Sequence, residues 1–273
     1  METVPPELKP SPALKSWQKP FFVAFLVLWI AEESLAALKI DLPSHWRWLD
    51  AAFLAVTAFT TLLALGRRLP AQNVFMTAVV VLGLAGGLNL VAGVTGVPYG
   101  PIIYLPASGE KLFDVVPWSV PVLWLIVVVN GRGVARLIMR PWRKTTYYGF
   151  WVIGFTSLLA VIFDLGLEPY AVHVKTLWLW HATKFAFTWG TAPLVNFLGW
   201  FVTCLLILFF SVPWLINKQP VKQAMDYYPL ITWLLLNILF LTGNAVRHDW
   251  PAVAVSAMAN AFIATYAIRG ARW

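Results

Sequence analysis

Long apolar stretches alternate with short polar breaks along this chain, and each stretch has the length of a membrane crossing. A helix needs about 20 apolar residues to span the ~30 Å hydrocarbon core. Eight stretches qualify: residues 20–38, 46–65, 72–93, 118–139, 147–166, 193–216, 227–246 and 251–268. They are too continuous for the in–out alternation of outer-membrane strands. The pattern predicts an all-α fold, a polytopic transmembrane helix bundle of about eight spans. Residues 20–273 are expected to form one transmembrane helical domain. Residues 1–19, polar and rich in proline, are expected to be a disordered cytoplasmic tail.

Two connections break the rhythm. The stretch "GVPYGPIIYLPASGEKLFDVVPWSVP", from Gly96 to Pro121, is too apolar for a solvated loop. The stretch "DLGLEPYAVHVKTLWLWHATKFAFTWGTAP", from Asp164 to Pro193, is dense in aromatics. Both read as partly re-entrant or interfacial. Irregular backbone at membrane depth is tolerated where protein covers it, and Trp and Tyr favour headgroup depth.

Composition agrees with the pattern. The chain is 60% hydrophobic and 12% charged, with mean hydropathy +0.72, against about a quarter charged in soluble domains. The net charge of +8 does not mark a nucleic-acid partner, because the basic residues are spread over several short loops. Most fall on the segments that share a side with the N-terminus, so they read as topology determinants. That places the protein in the cytoplasmic membrane with both termini inside. The acids do the opposite. Glu32, Glu33, Asp41, Asp50, Glu110, Asp114, Asp164, Glu168 and Asp249 all fall toward the outer side. The lone Cys204 allows no intramolecular disulfide. Glu32 and Glu33 interrupt the first apolar stretch, which argues for a membrane helix over a cleaved leader.

Ionisable residues within a span are costly and usually functional. Asp164 and Glu168 are four apart and share a face if the helix continues through them. Pro169 disfavours helical geometry at Glu168, so the helix is expected to end between the two. The plainer reading ties them to Lys175 or Lys184 at the interface. Glu32 and Glu33 point about 100° apart on a helix. Glu33 shares a side with Ala36 and Ala37 and is expected to face the bundle, in catalysis or paired with Lys39 or Arg47. Asn89, Asn130, Asn237, Asn244 and Asn260 read as hydrogen-bond glue between helices. Asn196 stands apart, with Trp200 one turn on in "NFLGW". Gly83 and Gly87 form a small-xxx-small packing motif.

No histidine box, HExxH, GxGxxG, DDxxD or GxSxG occurs. Neither a metal nor a cofactor is expected. Carboxyls, aromatics, amides and an apolar interior remain, a set suited to proton-driven chemistry on a hydrocarbon.

The ordered set "PYGPIIY" (98–104), "LFDVVPW" (112–118), "DLGLEPYA" (164–171), "LWLW" (177–180) and "PLVNFLGW" (193–200) resembles the integral-membrane carotenoid biosynthesis proteins. That family includes cofactor-independent, CruF-type carotenoid hydratases. This chain carries Glu168 before Pro169 where the family usually carries aspartate, and Asp114 where glycine is common. The resemblance implies hydration of the terminal trisubstituted double bond of an acyclic carotenoid, giving a tertiary alcohol. A buried carboxylic acid would protonate the alkene, and a second carboxyl would orient or deprotonate the water. Asp164 and Glu168 would fill these roles in either order, with Asp114 in reserve and Glu33 as a further candidate. Tyr99, Tyr104, Trp118, Trp178, Trp180, Asn196 and Trp200 would bind the substrate, their aromatic faces steadying a cation. The implied partners are a long polyene, membrane lipid and other carotenoid-pathway enzymes. An end-group cyclase or isomerase, or an isoprenoid or lipid transporter, is the alternative, although no internal repeat supports transport.

Overall fold

One helix is buried on nearly every face and organises the rest. This is α4 (Ser119–Ile138), whose run from Trp124 to Gly131 is inaccessible throughout. A helix apolar all round belongs at the centre of a bundle. Around it stand α1 (Pro12–Ala37), α2 (Trp48–Gly66), α3 (Ala71–Thr95), α5 (Tyr148–Pro169), α6 (Leu194–Leu215), α7 (Tyr228–Val246) and α8 (Trp250–Ala271). α4 touches α2, α3, α5, α7 and α8 most closely, while α1 packs on α2 and α7. In this computed structural model the described residues are 12–40, 42–181, 187–216 and 225–273. Eight of their helices are long and apolar enough to cross a membrane.

The small β elements all lie in the two long connections. They are β1 (Ile102–Tyr104), β2 (Lys111–Leu112), β3 (Val116–Pro117), β4 (Trp178–Trp180), β5 (Thr188–Trp189) and β6 (Ala192–Pro193). β1 pairs antiparallel with β4, Tyr104 opposite Trp178 and Ile102 opposite Trp180. The two connections therefore join as a single ribbon across one end of the bundle, here called the ribbon end. The other end carries most of the arginines and is called the basic end.

Outward faces are apolar, with Phe59, Phe75, Phe150, Phe209 and Phe262 exposed, as lipid contact demands. Several inward polar groups are paired between helices. Asn130 Nδ2 donates to Thr61 Oγ1 at 2.8 Å. Trp233 Nε1 donates to Asn260 Oδ1 at 3.2 Å, and Asn260 Nδ2 to Asn237 Oδ1 at 3.0 Å. Bonds of this kind contribute about 0.6 kcal/mol each in membranes.

Three expectations are corrected. α1 begins at Pro12, so residues 12–19 of the expected tail are helical; residues 1–11 lie outside the described set. A Cβ at Gly83 or Gly87 would meet nothing within 4 Å, so that motif packs no helix here. α5 does not end before Glu168 but runs through Pro169 into a wide π turn, Tyr170–Val174.

Candidate active site

The persistence of α5 through Pro169 has a chemical cause. Proline has no N–H, so the carbonyl of Leu165 loses its helical donor. Trp189 Nε1 supplies one instead, at 2.9 Å. Tyr170 N–H bonds Leu167 O, which frees the carbonyl of Gly166, and Asn244 Nδ2 from α7 reaches it at 3.0 Å. With both carbonyls satisfied the helix need not stop. Asp164 and Glu168 thus stay on one face, one turn apart, near the ribbon end. Both are buried, Asp164 at 0% and Glu168 at 2% exposure.

The ribbon supplies the partners of Glu168. Alternate residues of a strand share a face, so Trp178 and Trp180 point the same way. Both indole N–H groups donate to Glu168 Oε1, at 2.7 and 2.5 Å. Tyr104 meets Trp178 edge to face, with centroids 6.3 Å apart. Asn196, in the first turn of α6, donates through Nδ2 to Asp164 Oδ2 at 2.7 Å. Asp164 Oδ1 is buried without a hydrogen-bond partner. Among the described residues, the ion pairs of Lys and Arg go to other acids. Lys175, which the plainer reading offered as a partner of these two carboxyls, instead holds Glu32 Oε2 at 2.7 Å and Asp50 Oδ1 at 2.6 Å. Lys184 lies outside the described residues.

α3, α4 and α6 complete the surroundings. Tyr99 shares a hydrogen with Thr203 Oγ1 at 2.8 Å. It presses on Gly199 so closely that a Cβ there would sit 2.6 Å from its ring. Trp200 packs on Trp124, centroids 4.3 Å apart, a contact worth about 0.5–1.5 kcal/mol beyond burial. Burial raises the pKa of the Tyr99 and Tyr104 phenols above the ordinary 10, so both remain neutral hydrogen-bond groups.

Two cavities lie near the acids; Glu168 lines the smaller and Asp164 lines neither. The smaller, about 30 Å³, is lined by Glu168, Asn196, Asn89, Tyr99, Tyr104, Trp124, Trp178, Trp180 and Trp200. That volume accommodates one or two waters among polar groups. The larger, about 230 Å³, is mostly apolar and is lined by Trp118, Phe163, Leu167, Leu236 and Phe240, among others. Val120, Leu123 and Trp178 line both. Among the described residues, no group of three or more His, Cys, Asp or Glu could hold a metal ion.

Comparison with known proteins now bears on this geometry. The profile of the carotenoid biosynthesis protein family matches residues 48–263. The chain belongs to that family. It is also 26% identical over 180 residues to a bisanhydrobacterioruberin hydratase of Haloarcula japonica, a match covering 64% of this chain and 57% of that protein. The chain thus spans little more than half the length of this relative. No solved structure matches. Membership gives the protein a place in carotenoid biosynthesis.

Of the residues singled out in the sequence, the fold gathers Asp164, Glu168, Tyr99, Tyr104, Trp178, Trp180, Asn196 and Trp200. Trp118 lines the larger cavity, beyond the wall both share. Two acids fall outside. Asp114 is exposed at a tight turn, where it and Phe113 adopt φ of 59° and 53°. A left-handed turn between β2 and β3 requires that backbone, and Asp tolerates it. Glu33 is only half-buried and meets Thr242 of α7, neither Lys39 nor Arg47. Its neighbour Glu32, 1% exposed, is the bundle-facing one. Asn89, Trp124 and Thr203 belong to the site and were not singled out for it. Thr203 could have been found, since Asn196, Trp200 and Thr203 follow i, i+4, i+7 spacing on α6.

Proposed function

We propose that this chain is a carotenoid hydratase, adding water across the terminal trisubstituted double bond of an acyclic carotenoid end without a cofactor. The observation that carries the reading is the pair of buried carboxyls, Asp164 and Glu168, one turn apart on α5, with Glu168 lining a water-sized polar cavity that shares a wall with a larger apolar one. Similarity to a hydratase supports it.

The hydrogen bonding suggests a division of labour. Glu168 Oε1 already accepts two indole hydrogens, an arrangement that suits the carboxylate form. Asp164 has an unpartnered buried oxygen, a place for the hydrogen of a carboxylic acid. Asp164 gives that proton to the less substituted alkene carbon, leaving a tertiary cation. The rings of Trp178, Trp180 and Tyr104 steady it by about 0.5–2 kcal/mol each. Water attacks the cation, a C–O bond forms, and Glu168 takes the departing proton. Passage of that proton back to Asp164 resets the site. The larger cavity holds the polyene next to its reacting end, which reaches the acids past the shared wall of Val120, Leu123 and Trp178, and the rest of the polyene lies in the bilayer. The distribution of basic residues favours the cytoplasmic membrane with both termini inside.

Expression in a host that makes an acyclic carotenoid, followed by mass analysis of the pigments, tests the reading. A product heavier by one water, absent from the Asp164→Asn variant, is expected. A new end group at unchanged mass would show cyclisation or isomerisation instead and overturn hydration.

A further inference from the structure

At the basic end, far from the carboxyl pair, two cavities of about 460 and 370 Å³ adjoin. Both are lined by Arg68, Arg132, Arg136 and Arg140. The last three are spaced four apart, running off the end of α4, so their guanidinium groups share one face. Like charges at that spacing repel. A topology determinant need only lie in a loop; these side chains point into a cleft between helices.

Within the described residues, no ion pair is made by Arg132, Arg136 or Arg140. Asp226 is the acid on this lining, and it sits 3.3 Å from Arg67 and 3.8 Å from Arg68. Arg132 donates to the neutral carbonyl of Leu215 at 2.9 Å. Arg140 Nε is buried and has no hydrogen-bond partner. Burial lowers the pKa of Arg68 against the pull of Asp226, and the charges of Arg136, Arg67 and Arg140 lower it further. Positive charge is crowded here.

The remaining wall is apolar, with Val152, Ile153, Val212, Leu215 and Ile216 lining the larger cavity. The arginines stand at helix ends, the depth of lipid headgroups. Guanidinium forks match phosphate oxygens in pairs, and basic clefts between spanning helices suit anionic headgroups. We propose that these joined cavities bind the phosphate group of an anionic membrane phospholipid, its acyl chain lying along Val212, Leu215 and Ile216.

The full chain, purified in neutral detergent, is melted with phosphatidylglycerol, phosphatidylcholine or inorganic phosphate. Phosphatidylglycerol is expected to raise the melting temperature saturably, while the other two leave it unchanged. In Arg136→Gln/Arg140→Gln, half-saturation should need at least about tenfold more lipid; the single Arg136→Gln is read the same way should the pair not fold. Arg269→Gln/Arg272→Gln is the control. These residues are exposed at the same end, where Gly270 packs on the Leu137 and Ile138 carbonyls, and they line neither cavity. The control should bind as the parent does. An equal rise with phosphatidylcholine, an equal rise with inorganic phosphate alone, no rise at all, or equal weakening in the control would each overturn the proposal.

Discussion

Replacing Asp164 by Asn changes one atom and removes the transferable proton. The structural cost is small because the amide can keep the existing bond. Its oxygen accepts from Asn196 Nδ2, as Asp164 Oδ2 does at 2.7 Å. Its NH₂ then occupies the place of Oδ1, which has no partner to lose. A bond to a neutral acid becomes a bond to a neutral amide, so the loss is at most about 0.5–1.5 kcal/mol, or a few degrees of melting temperature. The catalytic cost is of another size. A positioned general acid contributes about 10²–10⁴ in rate, or about 3–5 kcal/mol of barrier. The variant should therefore fold, melt within a few degrees of the parent, and hydrate at least a hundredfold more slowly. Pigment mass analysis and melting of the purified protein read the two effects separately. Hydration at more than a tenth of the parent rate, with the fold intact, would refute the role of Asp164.

Trp180→Phe removes one hydrogen from Glu168 Oε1 at a partly exposed position. A bond to a charged group is worth about 1.5–3 kcal/mol, so the variant should melt several degrees lower, and hydration should slow as Glu168 loses one of the two donors that hold it. Lys175→Met strands Glu32, which is 1% exposed, and should destabilise by about 3 kcal/mol; adding Glu32→Gln should recover much of the loss in thermal denaturation. The same lysine sets a pH dependence. Burial alone would lower its pKa, but Tyr170, Asp50 and Glu32 outweigh burial and raise it above the ordinary 10.5. A cation with a raised folded pKa stabilises fully below its unfolded pKa and less as pH climbs through the folded one. The melting gap between parent and Lys175→Met should hold steady through neutral pH and narrow only above about 10.5.

The spans were legible because crossing a bilayer imposes one simple length on the sequence. The site was legible where ionisable and aromatic residues crowd together, as from Asp164 to Trp180. What escaped was set by distant partners. Pro169 reads as a terminator until Trp189 and Asn244 are seen to hold the carbonyls it frees. Choosing between Glu32 and Glu33 depends on Lys175, 143 residues away. The pairing of β1 with β4 joins loops with two helices between them, and no local pattern announces it. Asp114 looked chemical by residue type, yet its backbone conformation commits it to a turn.

The ribbon of β1 and β4 has a consequence for how Glu168 is held. Its backbone bonds tie the two connections together, so a displacement of one would carry the other with it. Trp178 and Trp180 both belong to that ribbon, and moving it away would withdraw both hydrogens from Glu168 at once. The doubly bonded state of Glu168 therefore depends on the ribbon being in place.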